Sequence, residues 1–142
     1  MKYEVIEKWL SYLDTYINPI AKRRLECDGM SRSVSMLLLR ERIKHDMFVG
    51  AFYLKGEENI RGIIPLHYWI EINDHVCDFR VRMWINDSDA PHGIFVPNDK
   101  QKYVKKGKMI RPIDDVIFTT LTGMGIDQYP PLPGVHDDMR SV

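Results

Sequence analysis

Cysteine is scarce in this chain, and the lack of paired cysteines excludes several classes of protein. The 142 residues include two cysteines, Cys27 and Cys77. Neither belongs to a Cys-x-x-Cys pair, so the sequence offers no zinc knuckle and no thioredoxin-like redox motif. Two cysteines form one bridge at most, which is too few for a disulfide framework. We therefore predict two free thiols, no cofactor and no metal site.

The chain also lacks net charge and long apolar runs, and its first residues do not have the pattern expected of a signal peptide. Twenty basic residues balance twenty acidic ones, which gives no overall attraction to nucleic acid or to an acidic membrane. The first ten residues carry four charges, unlike the apolar region of a signal peptide. No apolar run reaches the roughly 18 residues of a membrane helix. We therefore expect a cytoplasmic protein with no membrane partner and no nucleic-acid partner.

One segment is locally basic despite the neutral total. We interpret it as a solvated basic loop, and contact with a polyanion is the alternative, although Tyr103 is its only aromatic residue for base stacking. The basic residues are Lys100, Lys102, Lys105, Lys106, Lys108 and Arg111.

The hydrophobic pattern changes from helical to strand spacing after residue 43, which predicts an α+β fold with N-terminal helices packed on an antiparallel sheet. Residues 1–127 are predicted to form a single domain, and residues 128–142 an extended Pro-rich tail. The predicted helices cover residues 3–17, 20–25 and 28–43, and residues 113–121 are predicted as a final helix, with a strand as the alternative. The predicted strands cover 47–54, 60–64 leading into 64–72, 75–84 and 93–96.

Cys27 stands at the predicted start of the helix over 28–43 and is the candidate nucleophile. A free cysteine titrates near 8.5, and a helix N-terminus or a neighbouring cationic histidine lowers that pKa and favours the reactive thiolate. Cys77 instead lies inside a predicted strand, between Val76 and Asp78. The alternative for Cys27 is a small buried hydrophobic residue with no chemistry.

The dipeptide Asn73-Asp74 predicts a two-residue turn, which fixes the register of the hairpin around it. His67 and Asp78 then become diagonal neighbours on one face, within reach of each other. A three-residue turn would move Asp78 to the apolar face, where an unpaired carboxylate is costly. The predicted polar face holds His67, Trp69, Glu71, Val76, Asp78 and Arg80, and the apolar face holds Tyr68, Ile70, Ile72, Cys77 and Phe79, with His75.

These positions predict a nucleophile, a base and an orienting acid. His67 would take the proton of Cys27 and later protonate the leaving group, while Asp78 would fix the histidine tautomer. The backbone N–H of Cys27 is the natural oxyanion donor. Each residue also has a structural interpretation, with His67 satisfied by a neighbour and Asp78 paired with Arg80 or Arg82.

The segment HYWIEINDHVCD, from His67 to Asp78, resembles the core motif of the transglutaminase-like cysteine enzyme superfamily, within the papain-like fold. The shared pattern is a histidine, a tryptophan two residues on, an acidic residue two further, a turn, and an aspartate that ends a short apolar stretch. The upstream part is similar too, since Cys27 opens a helix that a strand follows. The resemblance covers about residues 20–85 and implies a papain-like core with Cys27, His67 and Asp78 as the catalytic triad.

The resemblance implies a cysteine hydrolase or acyltransferase that acts on an amide of a protein or peptide through a thioester. Protease, deamidase and cross-linking activities all remain open, and we expect Trp69 and His92 to line the substrate cleft. The flanking acids Glu26 and Asp28 depart from the family pattern and raise the pKa of the thiol, and no nearby upstream glutamine supplies a second oxyanion donor. The alternative is an inactive member of the fold that binds a protein partner through the basic segment 100–111 and the Pro-rich tail.

Overall fold

The protein is a layer of helices on one five-stranded antiparallel sheet, which confirms the predicted α+β class. The computed structural model describes residues 3–20, 27–109 and 114–132, with the side chains of 16–20 and 27 outside that description. The sheet order is β4-β3-β2-β1-β5. In chain order, the elements are α1 (Tyr3–Ile20), α2 (Cys27–Arg40), β1 (Asp46–Lys55), β2 (Ile60–Ile72), β3 (His75–Asp78), α3 (Val81–Trp84), β4 (Gly93–Phe95), β5 (Gln101–Met109), α4 (Asp115–Thr122) and a short 3-10 turn (Ile126–Gln128).

Helix α1 is longer than the sequence pattern indicates. Asn18-Pro19 predicts an end at residue 17, but the helix continues to Ile20. A proline removes one i→i−4 hydrogen bond and crowds the carbonyl four residues before it, which is why the pattern favours an earlier end than the backbone shows. The predicted short helix over 20–25 lies mostly outside the described residues. None of the helices in the described ranges has the length and apolar character needed to cross a membrane.

Helix α2 begins at Cys27, as the sequence predicts, and ends at Arg40 rather than at residue 43. Arg42 adopts a left-handed conformation with φ of 58°. The N–H of Ile43 then donates to the carbonyl of Leu38 at 2.9 Å. This is the Schellman arrangement that closes a helix C-terminus, and its unusual Arg42 conformation explains why the pattern alone missed the end.

The hairpin of β2 and β3 has the predicted register. Ile72 pairs with His75, and Ile70 pairs with Cys77, around the two-residue turn. Asn73 has a positive φ of 55°, a conformation that asparagine tolerates well. The even register therefore places alternate side chains on the two faces as expected.

Strand β3 ends at Asp78, so the predicted strand over 75–84 is wrong beyond that point. The Oδ1 atom of Asp78 accepts a hydrogen bond from the N–H of Arg80 at 3.0 Å, and such local bonds compete with strand pairing. Arg80 does not share the polar face, because its guanidinium pairs with Asp14 of α1 at 3.1 Å. The chain then forms the single helical turn of α3.

Strand β5 lies where the sequence predicts a basic loop. Residues 101–109 pair antiparallel with β1 at one edge of the sheet. Lysines fall on both faces of this strand, which hides the two-residue alternation that normally reveals a strand. Lysine-rich edges are also a common defence against pairing with other chains. The segment is basic, but the prediction of a loop is wrong, because residues 101–109 form a strand of the sheet.

Apolar side chains cover both faces of the sheet. The larger cluster joins α1, α2 and α4 to one face and includes Ile70, Ile72 and Cys77. The smaller cluster lies on the other face. It consists of Phe52, Leu54, Ile64, Val81, Ile85 and Ala90, with Tyr103 packed against it. The segment after Asp78 thus supplies half of the smaller cluster, namely Val81, Ile85 and Ala90.

The C-terminal segment packs into the domain as far as Leu132. Helix α4 begins where Asp114 caps the N–H of Ile117 and ends at Gly123, with φ of 79°. Beyond it, Tyr129 and Leu132 are buried in the larger cluster. The domain therefore includes the first residues of the predicted tail over 128–142, and residues 133–142 lie outside the described part.

Candidate active site

Neighbouring strands bring His67 and Asp78 into direct contact. Nε2 of His67 lies 2.6 Å from Oδ2 of Asp78. The two residues are 0% and 4% exposed. A register shift in the β1–β2 ladder at Pro65 and Leu66 lies beside His67, and such bulges often re-aim side chains near functional sites. The predicted proximity of this pair is therefore confirmed.

Asp78 accepts three hydrogen bonds, and these fix the tautomer of the histidine. Oδ2 accepts from His67 and also from the hydroxyl of Tyr103 at 2.7 Å, while Oδ1 accepts from the backbone N–H of Arg80 at 3.0 Å. A carboxylate has only acceptors to offer, so Nε2 of His67 carries the proton in this bond. In a neutral ring, Nδ1 then holds the lone pair that can accept a proton.

Aromatic rings hold the imidazole of His67 in place. Trp69 stacks against it with ring centroids 6.0 Å apart, and Phe52 and Tyr103 lie at 6.3 and 6.4 Å. The indole Nε1 of Trp69 donates to Glu71 at 3.1 Å. Trp69 is fully buried, so it contacts the histidine rather than solvent. Its expected place in a substrate cleft remains a prediction.

The sheet curls strongly around this pair. Tyr103 belongs to β5 and Asp78 to β3, and two strands separate them in the sheet order. Their side chains nevertheless meet at 2.7 Å. Phe95 of β4 also approaches Tyr103, with ring centroids 6.3 Å apart. The pair therefore lies on the inner face of a curled sheet.

Cys77 has the environment of a structural thiol. It is buried in the larger cluster, and burial raises its pKa well above the usual value, with the nearby Asp78 and Glu7 acting in the same direction. A thiol with a raised pKa is a poor nucleophile at neutral pH. The expectation that Cys77 is a core residue is confirmed.

The backbone of Cys27 begins α2, and its side chain lies outside the described part. Met30, one helical turn further on, receives a contact of 3.4 Å from the guanidinium of Arg80 at its Sδ atom. Arg80 follows Asp78 by two residues. The first turn of α2 therefore lies near the end of β3 that carries Asp78.

The strand faces define how a nucleophile from α2 would reach the histidine. Ile70 packs towards the helices, and His67 points to the opposite face because it differs by an odd number of residues. Strand β3 pairs only with positions 70–72 of β2. Among the described residues, the edge of β2 beside His67 has no strand partner on this side.

His92 lies near the pair but on a different side of Asp78. Its ring packs edge-on against Phe79 with centroids 5.1 Å apart. Partial burial lowers the pKa of His92. His92 therefore adjoins the residue that follows Asp78, and its role in a substrate cleft remains a prediction.

An open pocket of about 370 Å³ adjoins Tyr103 on the inner face. Glu71 lies in its wall and accepts from Nζ of Lys105 at 3.0 Å. The pocket is lined by Glu71, Asp74, Val76, Pro97, Asn98, Asp99, Gln101, Lys102, Tyr103 and Lys105.

Sequence reasoning missed Tyr103 as a site residue, and the only signal was its position as the single aromatic in a basic segment.

No metal site is present in the part of the chain that the structure describes, because no three histidine, cysteine, aspartate or glutamate side chains are placed to share an ion. Comparison with known proteins found no matching family model, no similar curated protein and no similar solved structure.

Proposed function

We propose that the protein is a cysteine hydrolase or acyltransferase that acts on amide bonds, with Cys27 as nucleophile, His67 as base and Asp78 as orienting acid. The observation that carries this proposal is the buried contact of 2.6 Å between His67 and Asp78. It ties one ring nitrogen to a carboxylate and leaves the other in the form that accepts a proton. The resemblance of the His67–Asp78 segment to the transglutaminase-like superfamily, within the papain-like fold, supports the same assignment.

The reaction follows from these roles. Nδ1 of His67 takes the proton of the Cys27 thiol, and the thiolate attacks the amide carbonyl carbon. The C–N bond breaks as the imidazolium returns that proton to the departing amine, and a thioester remains on Cys27. Water or a second amine then attacks the thioester, gives its proton to His67 and releases the free thiol. Asp78 stabilises the imidazolium that forms in each half of the cycle.

The position of Cys27 supports the nucleophile assignment. Cys27 is the first residue of a helix of 14 residues. Free N–H groups at a helix N-terminus carry partial positive charge, which favours a thiolate there. The same N–H groups are suited to bind the oxyanion of a tetrahedral intermediate.

A second candidate function is a non-catalytic binding module. The complete burial of His67 among Phe52, Trp69 and Tyr103 favours it, because a buried histidine that is satisfied by a carboxylate also occurs as a structural element. In that case Cys27 would behave as an ordinary thiol.

The pH dependence of iodoacetamide alkylation, read at each cysteine by mass spectrometry, separates the two candidates. We expect Cys27 to react with an apparent pKa at least about one unit below the usual 8.5. His67→Gln should abolish this reduction, and the matched variant His92→Gln should retain it. Cys77 should stay unreactive until the protein unfolds. A Cys27 that titrates near 8.5 in the wild type would exclude the catalytic proposal.

A trapped intermediate tests the chemistry itself. Incubation with a mixture of glutamine-containing peptides, followed by acid quenching, should leave an acyl adduct on Cys27 that Cys27→Ala lacks. Failure to find a thioester with any amide substrate, in a protein whose Cys27 has a normal pKa, would favour the binding module.

A further inference from the structure

Tyr103 joins the histidine–carboxylate pair from a distant strand. Its hydroxyl donates to Oδ2 of Asp78, the same oxygen that accepts from His67. Its ring packs 4.9 Å from the rings of both Trp69 and Phe52. These contacts fix the position of the ring and the direction of its hydroxyl, unlike those of a tyrosine exposed at the surface.

We propose that Tyr103 is a positioning residue that sets the proton affinity of His67 through Asp78. This inference rests on the proposed function, because it assigns Tyr103 a role in the same reaction. Tyr103 holds the carboxylate of Asp78 in the orientation that meets Nε2 of His67. Its O–H dipole also offsets part of the negative charge of Asp78 that acts on the imidazolium. No residue of the resembling motif between His67 and Asp78 supplies this contact.

The direction of the effect follows from electrostatics. The positive end of the Tyr103 O–H dipole points at Oδ2 of Asp78, close to the histidine proton. It stabilises the carboxylate and weakens the pull of that carboxylate on His67, so it lowers the proton affinity of the imidazole. The phenol remains a donor across the working range, because burial and the Asp78 charge raise the pKa of Tyr103 well above its usual value.

Other charged and titratable groups surround the pair and stay constant in the test. The backbone N–H of Arg80 binds the other oxygen of Asp78, and Glu71 lies beyond Trp69. The groups to be held fixed are Glu71, Cys77, Arg80 and His92.

The test is a side-chain NMR titration of His67 in Cys27→Ala protein, with the His67 resonance assigned by its loss in His67→Gln. Removing the hydroxyl with Tyr103→Phe should raise the pKa of His67 by about 0.5 to 1. The matched control Tyr53→Phe removes a tyrosine hydroxyl from β1, on the other face of the sheet, and should leave that pKa unchanged. An unchanged or lowered pKa in Tyr103→Phe would overturn the inference.

A second variant reverses the sign and guards against a general loss of packing. A more acidic fluorotyrosine placed at position 103 is a stronger donor and should lower the pKa of His67. A purely structural hydroxyl would not give opposite responses to removal and strengthening, so equal responses would refute the positioning role.

The two proposals fail separately. The titration uses protein without the thiol, so it reports on Tyr103 whether or not Cys27 is a nucleophile. If the pKa of His67 responds as expected while wild-type Cys27 titrates normally in the alkylation assay, the proposed enzyme activity is lost and the coupling stands. If Cys27 is activated but His67 ignores Tyr103, the enzyme proposal stands and the coupling is lost.

Discussion

Replacement of Asp78 by asparagine should cost both stability and the correct histidine tautomer. Oδ2 of Asp78 accepts from His67 and Tyr103, and Oδ1 accepts from the N–H of Arg80. An asparagine keeps one acceptor oxygen and replaces the other with an NH₂ donor. The NH₂ group of the asparagine therefore faces a donor in either orientation of the amide. In one orientation it faces the N–H of Arg80, and in the other it faces Nε2 of His67 and the hydroxyl of Tyr103.

The structure sets the magnitude of this loss. If the amide NH₂ faces Arg80, one buried backbone N–H loses its acceptor, which costs about 1–3 kcal/mol. If the NH₂ faces His67, the hydroxyl of Tyr103 can rotate, but the imidazole must move its proton to Nδ1. We therefore expect Asp78→Asn to lose about 2 kcal/mol of unfolding free energy. For a domain of this size, the melting temperature should fall by roughly 4–8 °C.

Denaturant unfolding at neutral pH measures this loss, and Asp74→Asn is the matched control. Asp74 lies at the exposed hairpin turn and contacts only its neighbour His75 among the bonds described, so its replacement should leave the unfolding free energy unchanged within error. An Asp78→Asn protein as stable as the wild type would show that the three contacts contribute nothing to the fold. An unaltered Cys27 alkylation profile in that variant would refute the orienting role of Asp78, since the wrong tautomer removes the base.

Three further outcomes follow from the packing and the titrating groups. Gly50→Ala would place a methyl group 1.9 Å from the carbonyl oxygen of Val104. Denaturant unfolding should therefore show that the free energy of unfolding falls by about 3 kcal/mol or more. A fall of less than about 1 kcal/mol would contradict the close approach of β1 and β5. Arg40→Lys removes the fork that donates to three C-terminal carbonyls and should cost about 2 kcal/mol and speed proteolysis of the C-terminal segment. The raised pKa values of Cys77 and Tyr103 mean that the folded state keeps protons that the unfolded state releases. The contribution of these two groups to stability should therefore be complete below about pH 8 and be lost as the pH rises above about 9, and Tyr103→Phe should reduce that alkaline loss in denaturant unfolding.

The hairpin could be predicted from sequence because its determinants are local. Asn73 suits the turn conformation, and one residue of slip would have buried a carboxylate among apolar side chains. The contact of His67 with Asp78 then follows from the register alone. The start of α2 at Cys27 could be predicted for a similar reason, since the helical pattern begins directly after it.

The features that sequence reasoning missed depend on contacts far apart in the chain. Tyr103 reaches Asp78 only because β5 pairs with β1 and the whole sheet curls, and no pattern near residue 103 contains that information. Arg80 likewise turns to α1 for its partner Asp14, which strand alternation cannot anticipate. To predict which side chains meet across a curled sheet, one must know the order of the strands. Short-range periodicity in the sequence does not supply that order.

Asp78 links the shape of the sheet to the chemistry of the site. One of its oxygens binds the N–H of Arg80 and ends β3, while the other orients His67. Because β3 is short, the edge of β2 beside His67 has no strand partner there among the described residues, and under the proposed function this is the edge that a group at the start of α2 would approach. A longer β3 would keep the hairpin register but cover that edge. The same carboxylate therefore ends the strand through one oxygen and orients the histidine through the other.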